Sequence, residues 1–168
     1  MNTDVVFSYS RITAIEEFRQ VLGRAQTGFL FRWLSAKDNT LESFRNMLPA
    51  LKPNRRYLGT LDVPVDQIVG SVDRGADFDR NFRPLASHLR DRWVSVYLLA
   101  KDADWPPIRL FKAGSRYFVE DGHNRVSVAR TLGMPTIRAE VWEYPLKPAR
   151  VHEQLCSQRY CELPLADC

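Results

Sequence analysis

From Ile12 to Trp33 the apolar residues Ile12, Ile15, Phe18, Leu22, Ala25, Phe29 and Trp33 step by three or four. That spacing predicts one face of an α-helix. Arg19, Arg24 and Arg32 fall between the apolar positions, and Gly23 and Gly28 mark places where the helix could break. Asn39 or Thr40 is placed to cap a second short helix carrying Leu41, Phe44, Leu48 and Leu51, with Pro49 and Pro53 closing the region. The polar stretch from Lys52 to Gly59 predicts a loop. Leu61, Val63, Val65 and Ile68 then predict a strand, and Pro64 favours an edge position for it. A loop rich in Asp, Arg and Gly runs from Ser71 to Asp79. Phe82, Leu85, Leu89, Trp93, Val96 and Leu99 return to helical spacing, so a helix is expected from Arg80 to Leu99 with Pro84 in its first turn. His88 on that helix reads as an ordinary surface histidine.

Beyond Pro106 and Pro107 the pattern becomes a hairpin. Ile108 to Lys112 and Tyr117 to Val119 flank a turn at Ala113-Gly114-Ser115. A helix follows from Arg125 to Leu132, ended by Gly133 and blocked from continuing by Pro135. Ile137, Ala139 and Val141 alternate in a last strand, Thr136 to Glu143. The tail from Pro145 carries helical patterning only around Val151 to Tyr160. The mixed order of helices and strands predicts an α+β fold, a small mixed sheet with packed helices. The expected organisation is an N-terminal helical segment over 1–56, a compact domain over 57–144 and a tail over 145–168.

Composition changes this picture little. The 168 residues, 45% apolar and 26% charged, suit one soluble globular domain with a real core. No window approaches the roughly 18 apolar residues of a membrane helix, and MNTDVVFSYS lacks the basic head and apolar run of a signal peptide. A cytoplasmic location is therefore expected, with no membrane partner. The net charge of +4, from 24 basic and 20 acidic residues, permits an anionic partner without demanding one. Cys156, Cys161 and Cys168 are an odd set without an export signal, which argues against a disulfide framework. Zinc would have to use His152 with these three cysteines, and no C-x-x-C pair is present, so no metal site is expected.

The densest chemistry lies in YFVEDGHNRVSVARTLG, Tyr117 to Gly133. A strand turning directly into a helix presents the first helical N–H groups at one point, where they and the helix dipole favour an anion. Gly122 allows a tight turn and close approach of a ligand, and Arg125 carries a planar fork suited to phosphate oxygens. His123 and Asn124 donate or accept at the same mouth, and Asp121 could hold a metal ion or orient His123. Read from the residues alone, the same stretch serves equally as a turn and N-cap with Arg125 in a surface ion pair.

From Leu58 to Tyr144, about half the chain, the sequence resembles the ParB N-terminal/sulfiredoxin-like superfamily. The resemblance rests on LDVPVDQIV, on Phe78-Asp79, on the helix around Leu85 to Trp93, and on PPIRLFKAGSRYFVEDGHNRVSVARTLGMPTIRAEVWEY. It implies a corner that binds nucleotide phosphates. Partition proteins of the superfamily contact CTP through a Gly-Glu-Arg-Arg box. Gly122 and Arg125 match its outer positions, and His123 and Asn124 replace the inner two. Sulfiredoxins have Gly-Cys-His-Arg with a catalytic cysteine. His123 stands in that place with no other cysteine nearby, so sulfinic acid reduction is not expected. Small-molecule kinases among the relatives have Asp-Gly-His-x-Arg and phosphorylate free serine; Asp121, Gly122, His123 and Arg125 match them best. Arg74 lies in the loop where the superfamily places an arginine near the ligand. A DNA-reading helix-turn-helix is not expected in the about 25 residues after Glu143.

The resemblance therefore implies a bacterial-type, regulatory ParB-like domain protein. It would bind a nucleoside triphosphate, CTP or ATP with magnesium, through Gly122, His123, Asn124, Arg125 and Arg74, and present its N-terminal helices to a protein partner. The alternative is a small-molecule phosphotransferase or NTP hydrolase with Asp121 and His123 as catalytic groups; Asp66, Asp73, Asp77, Asp79 and Glu120 remain open as the base. A second alternative is a DNA-binding regulator or nuclease using Arg19, Arg24, Arg32, Arg55 and Arg56 on phosphates.

Overall fold

The structure is a computed structural model that describes residues 3–32, 39–100 and 105–148, with side chains of the first helix described from Ser10 to Thr27. Three helices, α1 (Thr3–Arg32), α2 (Arg90–Leu99) and α3 (His123–Thr131), alternate with six strands. The strands are β1 (Glu42–Ser43), β2 (Arg56–Pro64), β3 (Ile68–Ser71), β4 (Ile108–Ala113), β5 (Arg116–Asp121) and β6 (Thr136–Glu143). They form one mixed sheet in the order β1-β3-β5-β4-β6-β2. The β1–β3, β3–β5 and β4–β6 pairs are parallel; β4–β5 and β2–β6 are antiparallel. The expected α+β class, a sheet with packed helices, is what forms.

The pleat sends neighbouring residues to opposite faces. Leu110 and Val119 join a large core with Phe18 and Val21 of α1, Trp93 and Val94 of α2, and Val126 and Val128 of α3. Their neighbours Phe111 and Phe118 join a smaller cluster on the other face, beneath Phe44 and Leu51. The Phe18 ring meets Trp93 edge-on, 5.6 Å between centroids, which seats α1 on α2.

Local signals placed the hairpin, α3 and β6 nearly where expected, and β6 has the predicted limits. Other expectations are corrected. The first helix starts earlier and runs unbroken through Gly23. Its buried face is Ala14, Phe18, Val21 and Ala25, whereas Ile12 is 63% exposed, so the apolar stripe is rotated from the one read. The second helix forms only as a 3-10 helix without the expected cap, and it carries Phe44 and Leu48 but not Leu41 or Leu51. Glu42–Ser43 pair with Gly70–Ser71, and the 3-10 helix spans Phe44–Ala50. Gly70 permits that pairing, because a Cβ there would lie 2.2 Å from the Glu42 carbonyl oxygen. The loop expected up to Gly59 is partly strand, since β2 begins at Arg56. The strand expected over Leu61 to Ile68 is divided by a 3-10 turn at Val65–Gln67. Its first part, β2, is an edge strand that ends at Pro64, as the proline implied.

The helix expected from Arg80 begins only at Arg90, after a 3-10 turn at Ser87–Leu89. A tight turn at buried Asp79 stands where the helix was expected to begin. The Asp79 Oδ1 accepts the N–H groups of Asn81 (2.9 Å) and Arg83 (2.8 Å), and the Asp79 carbonyl accepts the Phe82 N–H at 2.8 Å. Acceptors at this place would suit a helix start, but fully buried Phe82 is held at a φ of 58°, outside the helical range, and the chain turns back so that the Asp79 N–H donates to the Arg83 carbonyl at 2.9 Å. Trp33, the Val151–Tyr160 stretch, His152 and the three cysteines lie outside the described residues. Among the described residues no helix is long and apolar enough to cross a membrane, and no group of three or more His, Cys, Asp or Glu is placed to hold a metal ion.

Candidate functional site at the start of α3

Strand β5 lies inside the sheet between β3 and β4, and its end at Asp121 leads straight into α3. Gly122 makes the corner with a φ of 106°. A Cβ at Gly122 would lie 2.4 Å from Ile108 Cγ2, so both conformation and space require glycine. The first helical bond runs from the Val126 N–H to the Gly122 carbonyl at 3.0 Å, and no side chain caps the helix. The N–H groups of His123, Asn124 and Arg125 thus precede the ladder at the positive end of the helix.

His123 is buried under aromatic rings. It stacks on Phe78 with 5.9 Å between centroids and leans on Phe82 at 6.5 Å. Its Nε2 and the Ser71 Oγ share a hydrogen bond of 2.7 Å, and Ser71 Oγ also accepts the Arg74 N–H at 2.8 Å. Burial, with the Arg74 charge adding to it, pushes the imidazole pKa down to about 4, against the opposing pull of Asp121, Asp77 and Asp73. The ring is therefore neutral at pH 7. Asn124 is only 5% exposed, and its Oδ1 has no hydrogen-bond partner.

Arg125 is more occupied than its sequence position suggested. Nη1 donates to the carbonyls of Pro106 and of Pro107 (3.2 Å), and Nη2 donates to Asp121 Oδ2 at 2.8 Å. Its fork clamps the segment before β4 to the corner and neutralises Asp121. The cations facing the cavity with more freedom are Arg74 and Arg92. Arg74 has a loose contact to Asp77 at 3.8 Å, and Arg92 has no acidic partner among the described residues. Together with Val96, Glu120 and residues 121–125 they line a cavity of about 150 Å³. Ligand pockets usually hold about 300–1,000 Å³. This one has room for a phosphate group, with the rest of any larger ligand outside.

The structure brings Asp121, Gly122, His123, Asn124, Arg125 and Arg74 together around one cavity. Of the carboxylates left open as a base, only Glu120 lines it, beside Asp121. Asp79 is spent on its turn, and Asp66 lines cavities elsewhere. Ser71 and Arg92 were missed. They are 52 and 31 positions from His123 in sequence, and no local pattern marks them. The arginines considered for DNA are dispersed: Arg19 pairs with Glu16, Arg56 with Glu143, and Arg55 stacks on Trp142 at 4.5 Å. The side chain of Arg32 lies outside the described residues.

No family model matches the chain, and no curated protein matches it. Among solved structures it is similar to the crystal structure of sulfiredoxin from Arabidopsis thaliana, at 18% identity and a TM-score of 0.37, over 51% of this chain and 86% of that one. The likeness is partial and concerns the fold alone. It corrects one expectation: sulfiredoxins were set aside because His123 replaces their cysteine, and the solved structure found to be similar is itself a sulfiredoxin.

Proposed function

We propose that the protein binds a nucleoside triphosphate, CTP or ATP, by its phosphates at the Asp121–Arg125 corner. The supporting observation is the cavity itself. The helix start, Arg74 and Arg92 converge on a space of phosphate size beside a neutral imidazole. The nucleoside would lie outside that space. Magnesium, where present, would be held mainly by the phosphates, with Glu120 the nearest uncommitted carboxylate.

The test is calorimetric titration with CTP, ATP, ADP and GTP, with and without magnesium, on the wild type and on Arg74→Ala and Arg92→Ala. Loss of a charge-assisted phosphate contact weakens binding by about tenfold or more in each variant. Equal binding in all three proteins would place the ligand elsewhere. Arg125→Ala is the poorer probe, because it also releases the Pro106 and Pro107 carbonyls. Glu120 at the cavity wall favours a second reading, phosphoryl transfer or hydrolysis of the bound nucleotide with that carboxylate as base, because an imidazole with a pKa of about 4 takes up a proton poorly near pH 7. Phosphate release measured in the same samples decides between binding and turnover.

A further inference from the structure

We propose a second anion site on the far flank of Phe82, which takes a small organic dianion, a phosphate monoester or a dicarboxylate. A cavity of about 350 Å³ lies where α1, the Asp79–Arg83 turn and α3 meet. That volume falls within the roughly 300–1,000 Å³ of small-molecule sites. Glu17, Val21 and Arg24 reach it from successive turns of α1. Phe82 and Arg83 reach it from the turn, and Ser127 and Arg130 from α3.

The cations define what it would hold. Arg83 Nη1 donates to the backbone carbonyl of Arg24 at 3.5 Å, which anchors its guanidinium beside α1 at the level of Arg24. Neither arginine has an acidic partner among the described residues. Arg130 supplies a third charge at the back. Its Nη2 is fixed by the carbonyls of Ile68 (2.7 Å) and Val65 (3.2 Å), and its guanidinium lies 5.0 Å from the centre of the Phe82 ring. Buried Asp79 offsets Arg130, and Glu17 offsets one of the others, so positive charge remains in excess. Cations gathered at one cavity in excess of its carboxylates repel each other, and a dianion between them lowers that cost. Val21 and Phe82 give its carbon frame an apolar wall.

The site is independent of the corner. Phe82 packs on His123 with one part of its surface and lines this cavity with another, so it stands as the partition between them. A reporter is built in: the Trp93 indole N–H donates to Ser127 Oγ at 2.9 Å, and Ser127 lines the cavity.

The experiment follows the Trp93 indole resonance in ¹⁵N-labelled protein, titrated with inorganic phosphate and separately with succinate, with chloride keeping ionic strength constant. A saturable shift is expected with at least one probe, weakened about tenfold or more in Arg24→Ala/Arg83→Ala and unchanged in Arg74→Ala at the corner. Arg24→Lys/Arg83→Lys keeps the charge without the forks and is expected to fall between. Saturation by phosphate alone marks a phosphate monoester site, and by succinate alone a dicarboxylate site. No saturable shift with either probe, or one that persists in the double alanine variant while its spectrum remains dispersed, overturns the proposal.

Discussion

His123 has exchanged water for Phe78, Phe82 and Ser71, and the exchange has a pH signature. Unfolded, the imidazole takes a proton near pH 6.5; folded, only near pH 4. Between those values the unfolded chain binds more protons, so stability falls as pH drops from about 6.5 to about 4, by up to about 3 kcal/mol. Above pH 7 this group has no effect. Chemical denaturation at steps between pH 4 and 7 is expected to show that decline in the wild type and a flatter profile in His123→Gln. Glu143, held below its ordinary value by hydrogen bonds from Lys112 and Arg56, loses its stabilising effect as pH falls below the ordinary carboxylate range and through its depressed pKa. A Gly122 substitution would be costly for a different reason, because the Ile108 side chain fills the place of a Cβ.

At the scale of elements, the segment from Phe78 to Pro84 shows a turn overruling a pattern. Phe82, Leu85 and Leu89 have helical spacing, yet Phe82 sits at a φ of 58° and the Asp79 N–H turns back to the Arg83 carbonyl, with the Asp79 carboxylate holding the turn. Asp79→Ala leaves the Asn81 and Arg83 N–H groups without their acceptor and frees Phe82 from its positive φ. The expected loss is about 2–4 kcal/mol by urea denaturation. Because Phe82 touches both His123 and the Arg130 guanidinium, the Trp93 and His123 resonances should move as well; a stability change under 0.5 kcal/mol with an unaltered spectrum would show the turn to be held by other contacts. By contrast the β4–β5 hairpin, α3 and β6 carry agreeing local signals: Gly114 at a turn, Gly133 past a helix end at a φ of 67°, and alternation at Ile137, Ala139 and Val141.

For the whole molecule, the decisive feature is the parallel pairing of β3 with β5 at the centre of a mixed sheet. It sets Ser71 opposite Val119 and brings the Ser71 hydroxyl to His123. The same strand holds β1 through Gly70. Gly70→Ala would place a methyl group against the Glu42 carbonyl and the Phe118 ring, at 2.2 Å and 2.6 Å. The expected cost is about 1–3 kcal/mol from overpacking, with loss of hydrogen-exchange protection at Ser43 before the central strands open. Protection at Ser43 equal to wild type would mean the sheet edge adjusts around the methyl group.

Sequence alone determined the mixed class, the hairpin, the last helix and strand, and the corner. In each case the signals lie within a few residues of one another: periodicity, a glycine at a turn, a cation one helical turn from a carboxylate. Tertiary structure decided which side chains surround the corner and what state they are in. Ser71, Arg74 and Arg92 arrive from separate elements, the Pro106 and Pro107 carbonyls engage Arg125, and burial discharges His123. Desolvation and contacts between distant segments depend on how the sheet is ordered, and no short stretch of the chain encodes that order.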